Sequence, residues 1–191
     1  MTAYGSELNS MEVTIRQAVL DDVPALEILI AESARGLREG YSAEQVEAAL
    51  GNALGVDRQL IRDGTYFVAE AEGMIVGCGG WSKRKTLFGS DHGPVKNDAW
   101  LDPAVDPARI RAFFVHPAWA RRGIGSRLLQ ACETAAAADG FSRLELAATL
   151  PGVPLYSARG FAAAEHFEVP LPNGLSLPVV RMSKSLLSGR A

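Results

Sequence analysis

The chain is poor in sulfur, in aromatic rings and in unbroken hydrophobic stretches. Its two cysteines, Cys78 and Cys132, lie far apart and show none of the close spacing used by zinc sites or disulfide frameworks. They read as buried thiols of a reducing compartment, Cys78 on a strand and Cys132 on the apolar stripe of a helix. No apolar run approaches the roughly 20 residues of a membrane span. Positive charge is not in excess either. A net charge of −3 leaves no electrostatic footprint for general nucleic-acid binding. Residues 1–10 lack the basic start and apolar centre of a secretory signal and, like 188–191, read as tails. The expectation is a cytoplasmic protein with no membrane or nucleic-acid partner. Asp91, His92 and Asp98 match no strong ligand spacing, so no metal is expected.

What is present is ordinary for one packed domain. Of 191 residues, 48% are hydrophobic and 21% charged, enough for a real core in a single unit over 11–187. Val13 to Ala18 alternates as a strand. Asp21 or Asp22 caps a helix that tolerates Pro24 in its first turn. Ser42 with Gln45 three residues on is a capping box for a second helix, and Asp57 to Ile61 suits a further short one. Thr65 to Glu70 and Met74 to Trp81 read as strands about a Glu72-Gly73 turn. Gly77, Gly79 and Gly80 mark a bulge or a close backbone approach. The long polar stretch 82–107 is an insertion of the kind that is functional when it occurs in a compact domain. A strand follows over Arg109 to Val115, then a helix from Gly123 to about Gly140. A strand around Leu144 and Leu146 comes next, then a short helix ending at Gly160 and two last strands. The order βααβββαβαββ predicts a mixed α/β sheet of six to seven strands. Helices cover both faces, and strands four and five run parallel because a helix joins them.

The segment from Ile110 to Leu129, IRAFFVHPAWARRGIGSRLL, is the most telling. A strand enters a basic glycine loop and leaves as a helix. Backbone N–H groups and the helix dipole favour an anion at such a point. Arg121 and Arg122 add charge, and Gly123 and Gly125 let a phosphate approach the main chain. The spacing matches neither the dinucleotide fingerprint nor a P-loop, which needs Gly-Lys-Ser or Gly-Lys-Thr. Further along comes Leu155-Tyr156-Ser157-Ala158-Arg159-Gly160-Phe161.

The two segments, in this order, resemble the GNAT superfamily of acetyl-CoA-dependent N-acetyltransferases over roughly Val13 to Lys184. In that family a Gln/Arg-x-x-Gly-x-Gly/Ala loop cradles the coenzyme A pyrophosphate, and a Tyr-x-x-x-Gly-Phe follows the fifth strand. Here Ala120 stands at the first loop position, which removes a side-chain contact and leaves the backbone cradle. The resemblance implies the GNAT acyl-CoA N-acyltransferase fold, with strands four and five splayed. It assigns the backbone of Phe113, Phe114 and Val115 to the pantetheine arm, and Arg121, Arg122, Gly123, Ile124, Gly125 and Ser126 to the pyrophosphate. Thr149 stands where many relatives have an asparagine that contacts the arm. A homodimer is common among such relatives.

Acetyl transfer needs a neutral amine and a proton for the departing thiolate. An alkyl amine near pKa ~10 must first lose a proton to a base or a water path, and a phenol still protonated at pH 7 can donate. The resemblance places Tyr156 as that acid. The fourth strand carries Arg109 and Arg111 and no carboxylate. The base is therefore a water chain or Glu145, whose plainer reading is an exposed strand residue. His116 reads chiefly as a turn residue before Pro117. Lys83, Arg84 and Lys85 are either a solvated loop or a site for an acidic group. The expected activity is transfer of acetyl from acetyl-CoA to a small-molecule primary amine, a protein or peptide amine being a variant. The alternative is a non-catalytic acyl-CoA-binding sensor. The 82–107 insertion is the candidate substrate lid.

Overall fold

A computed structural model describes residues 12–93 and 96–186; the tails at 1–10 and 188–191 lie outside the described residues. Seven strands form one mixed sheet: β1 (Thr14–Gln17), β2 (Tyr66–Ala71), β3 (Met74–Ser82), β4 (Ala108–Val115), β5 (Arg143–Thr149), β6 (Ala162–Pro170) and β7 (Ser176–Ser185). Their spatial order is β1-β2-β3-β4-β5-β7-β6. Five α-helices are interleaved: α1 (Val23–Arg35), α2 (Ala43–Ala49), α3 (Arg58–Arg62), α4 (Ile124–Ala138) and α5 (Val153–Ala158). This is the expected order, and the further short helix expected over Asp57 to Ile61 forms as α3 before β2. Asp57 caps it, its carboxylate accepting from the Gln59 N–H at 3.1 Å. The Ser42–Gln45 capping box forms on α2 as its spacing requires.

Local rules account for most of these elements. Pro24 sits in the first turn of α1, where its missing N–H is not needed. Glu72 and Gly73 both take positive φ, 53° and 75°, in the two-residue hairpin between β2 and β3. Both cysteines are free and buried. Helices α1 to α3 pack on one face over Val68, Cys78, Phe114 and Val179. Helices α4 and α5 cover the other, over Ala69, Val76, Ile110, Leu146 and Met182.

Two departures from regular pairing shape the middle of the sheet. All strand neighbours are antiparallel except β4 and β5. Those two pair only at Ala108 with Leu144 and Arg109 with Glu145, and beyond that point the strands part. On the other side of β4 the register passes from Cys78–Phe114 to Gly80–Arg111. Gly79 alone therefore opposes both Ala112 and Phe113, which is a bulge. Ala112 takes φ 54°, a left-handed conformation that side-chain-bearing residues rarely adopt.

Residues 83–93 and 96–107 form an excursion fastened to the body at many points. Lys83 O accepts from Leu101 N, Lys85 N donates to Ala99 O and Thr86 N to Asn97 O, so the segment folds back on itself. Buried Ser90 donates its hydroxyl to Gly51 O and Asn52 O at 2.8 and 2.9 Å. The Asp91 carboxylate takes the Arg58 backbone N–H and guanidinium at 2.8 and 2.6 Å. No described helix is long and apolar enough to cross a membrane.

Candidate active site

The end of β4 and the start of α4 build an anion-sized cradle. Pro117–Trp119 makes a 3-10 turn capped by His116, whose Nδ1 accepts from Ala118 N at 3.1 Å. Arg121 and Gly123 then take left-handed φ of 65° and 79°, on either side of Arg122, which does not. Such an alternation turns successive N–H groups toward one side, and here it leads directly into the 15-residue helix α4. Gly123 has open space where a Cβ would stand, whereas a Cβ on Gly125 would come within 3.0 Å of Leu155. The cradle is thereby packed against α5. Arg121, Arg122 and Gly123 are exposed and Ile124 is buried. Arg122 lies 4.8 Å from the centroid of the Trp119 ring, which holds its charge beside the loop. Positive φ at Arg121 left no mark in the sequence, since arginine has no special tolerance for that region.

The gap between β4 and β5 opens directly below this cradle. Phe113 and Tyr156 meet edge to face at 6.3 Å, and Tyr156 meets Phe161 at 5.8 Å. Tyr156 is 8% exposed, and its hydroxyl has no hydrogen-bond partner among the described residues. Burial raises the Tyr156 phenol above its ordinary value, with a smaller contribution from Cys132. The group stays a proton donor across the neutral range. Phe114 points to the opposite face and belongs to the α1 core. Thr149 ends β5, its hydroxyl 3.1 Å from where a Cβ on Gly152 would lie. The structure thus gathers Phe113, Thr149 and Tyr156 along the gap and Arg121 to Ser126 at its mouth.

Charged residues on the face of α1 to α3 are mutually engaged. Arg109 pairs with Glu145, which also faces Arg181 at 3.6 Å. Glu145 is thus no exposed strand residue; both its oxygens are occupied by cations. Burial pushes the Arg109 guanidinium below its ordinary value, opposed by Glu145 and reinforced by Arg181. Arg111 reaches under α3 to Asp57 at 2.7 Å, in a contact too poorly aligned for a good hydrogen bond. It also donates to Gly89 O at 3.0 Å. Asp57 takes Lys96 at 2.8 Å. Nothing in the sequence near Asp57 marked it as more than the start of a short helix. His116 Nε2 lies 3.1 Å from Glu32 on α1, so one ring nitrogen caps the turn and the other faces the helix.

The basic run in the insertion is largely neutralised. Lys83 pairs with Asp139 and Arg84 with Asp63, and Arg84 lies over Trp100. The Arg84 hydrogen bonds hold the Asp63 carboxyl below the usual range against the opposing effect of burial. Beyond the insertion lies a cavity of about 240 Å³ lined by Glu27, Ile30, Arg58, Ser90, Asp91 and His92.

Above the gap, the segment between α1 and α2 spans both strand ends. A Cβ on Gly36 would stand 3.4 Å from Pro117, and one on Gly40 would stand 2.9 Å from Pro151. Tyr41 donates to Pro178 O at 2.7 Å and accepts from Leu150 N at 2.8 Å.

Comparison with known proteins places this arrangement. No curated protein sequence matches the chain. Among solved structures, a GCN5-related N-acetyltransferase from Rhodopseudomonas palustris superposes with a TM-score of 0.70 at 25% identity, covering 92% of this chain and 98% of that one. The PaiA N-acetyltransferase of Thermoplasma acidophilum, solved with coenzyme A, gives 0.63 at 16% identity, covering 92% and 99%. YncA of Salmonella typhimurium, a putative acetyltransferase solved with acetyl-CoA, gives 0.63 at 18%, covering 94% and 97%. The sequence model of the GNAT acetyltransferase family matches residues 28–161. With that match and the splayed seven-stranded sheet, the chain belongs to the GNAT acetyltransferase family.

Proposed function

We propose that this acyltransferase moves an acetyl group from acetyl-CoA to a primary amine of a small molecule by direct attack. The observation that carries the reading is the alternating left-handed turn of Arg121 to Gly123 at the start of α4, at the mouth of a gap that β4 and β5 leave open. Backbone N–H groups at that helix start suit a pyrophosphate. Arg121, Arg122, Gly123, Ile124, Gly125 and Ser126 would hold it. The β4 backbone from Phe113 to Val115, with Thr149 across the gap, would hold the pantetheine arm.

The bound thioester supplies an activated acyl carbon. The rest of the chemistry falls to the chain. The bulge at Ala112 and Phe113 leaves main-chain groups of β4 without a β3 or β5 partner in the register. An N–H there can meet the charge that develops on the thioester oxygen. Tyr156, kept protonated by burial, gives its proton to the sulfur as the carbon–sulfur bond breaks. Glu145 is held between Arg109 and Arg181, so the amine proton leaves through water. The 82–107 insertion, fastened beside the α1–α3 face, is proposed as the element that selects the acceptor.

Arg109 and Arg111, where a carboxylate base would be useful, favour a second reading, a non-catalytic acyl-CoA sensor. A thermal-shift titration with acetyl-CoA, CoA and NADH, followed by thiol release over an amine panel, tests both. Stabilisation by acetyl-CoA and CoA alone, with steady thiol release, is expected. Stabilisation without turnover on any amine selects the sensor. No shift at saturating acetyl-CoA overturns the cradle.

A further inference from the structure

We infer that Tyr66 is a positioning residue for acyl transfer: its buried hydroxyl fixes the Ala112–Phe113 peptide so that the Phe113 N–H faces the thioester oxygen. This inference rests on the acetyl-CoA reading above. Tyr66 lies on β2, two strands away from the gap, and is fully buried. Its hydroxyl donates to Ala112 O at 3.0 Å. Ala112 is the bulge residue with φ 54°, so the one strained peptide of β4 is gripped from outside the strand.

The orientation follows from peptide planarity. In a trans peptide the C=O of one residue and the N–H of the next point in opposite directions. The Ala112 carbonyl points back across β3 to Tyr66, so the Phe113 N–H points away from β3, toward the gap. Phe113 has no partner in the β3 register, and β4 parts from β5 after Arg109. A backbone donor at a position with no partner in either register, beside a gap, is a group that a substrate can satisfy.

The glycines of β3 serve this contact. A Cβ on Gly80 would stand 2.6 Å from the Tyr66 ring and 2.9 Å from Thr65 O, and one on Gly79 would stand 2.6 Å from the Phe113 ring. Only glycine at both positions lets the Tyr66 ring cross β3 and the Phe113 ring fold beneath it. Cys78 lies beside the hydroxyl, and burial raises the Tyr66 phenol far above its ordinary value. The hydroxyl therefore keeps the proton it donates to the carbonyl.

The test is Tyr66→Phe, read by infrared spectroscopy of bound, carbonyl-labelled acetyl-CoA and by steady-state kinetics. A positioned donor lowers the carbonyl stretching frequency of the bound thioester relative to free acetyl-CoA in the wild type. In Tyr66→Phe the band is expected to move back toward the free position. At the same time kcat falls about tenfold to a hundredfold, with KM for acetyl-CoA unchanged. A residue that merely fills the core would lower the melting temperature and leave both the band and kcat in place; that result overturns the inference. Should Tyr66→Phe not fold, 4-fluorophenylalanine at position 66 keeps the volume without a donor. 4-Aminophenylalanine there restores a donor and is expected to restore the band. If wild-type protein fails to bind acetyl-CoA, the earlier reading fails and this one with it. If it binds with an unshifted carbonyl, only the positioning role falls.

Discussion

Asp57→Asn isolates the charge at the most buried ion cluster of the protein. Asp57 is fully inaccessible, and its partner Arg111 has a side chain only 3% exposed. The amide keeps the size of the carboxylate and can still accept from the Gln59 N–H, so the helix cap survives. What is lost is the countercharge to Arg111 and Lys96. Lys96, 18% exposed in its side chain, can swing its ammonium toward water. Arg111 cannot, because its side chain is buried and held by Gly89 O. Leaving one buried ion uncompensated costs about 3–5 kcal/mol, a large share of the roughly 5–15 kcal/mol that holds a domain together. For a chain of this length each kcal/mol is worth about 2–4 °C in Tm, so a fall of roughly 6–20 °C is expected. Urea unfolding followed by tryptophan fluorescence gives the free energy directly. Asp57→Asn combined with Arg111→Met removes both charges and is expected to recover most of the loss. A single-variant cost below about 1 kcal/mol, or no recovery in the pair, would refute the claim that the ions depend on each other.

Three further outcomes are expected. Tyr156→Phe should lower kcat by about 10²-fold or more. Because burial raises the Tyr156 phenol above its ordinary value, wild-type kcat should not fall on the alkaline side below about pH 10; a fall near pH 9 in the pH–rate profile contradicts the assigned environment. Gly123→Ala places a side chain at φ 79°, which should cost about 1–2 kcal/mol of stability. CoA affinity, measured by calorimetry, should fall far more than that strain explains, because the new methyl stands in the open space of the cradle. Arg16 holds Asp22 and Glu70 below the usual carboxylate range. That stabilisation is complete above their unfolded pKa values near 4 and is lost as pH falls through the lowered folded values. Arg16→Met should therefore cost about 1 kcal/mol at pH 7 and flatten the decline of Tm between pH 5 and 3.

The parts of this site that were legible in the sequence are those set by neighbours along the chain. The glycine loop, the Ser42–Gln45 cap, the buried thiols and the close approach at Gly79 and Gly80 all follow from local spacing or residue type. What the two glycines admit did not follow, because the Tyr66 and Phe113 rings come from other strands. The bulge at Ala112 was hidden for a different reason: alanine is ordinary in a strand, and only the slip in register against β3 forces its left-handed φ. Asp57 looked like no more than the start of a short helix, because its second role depends on Arg111 and Lys96, which are brought to it by the fold. Glu145 changed character likewise once Arg109 and Arg181 flanked it.

The fastening of the insertion has a consequence for engineering. Ser90, Asp91 and Lys96 are tied to Gly51, Asn52, Asp57 and Arg58, and Gly89 to Arg111. The loop and the stretch before β2 therefore behave as one transplantable cassette. Grafted alone onto another scaffold, residues 82–107 would lose the partners that give them shape. Moved together with residues 50–63 and an arginine at the matching place on β4, they carry their own mould.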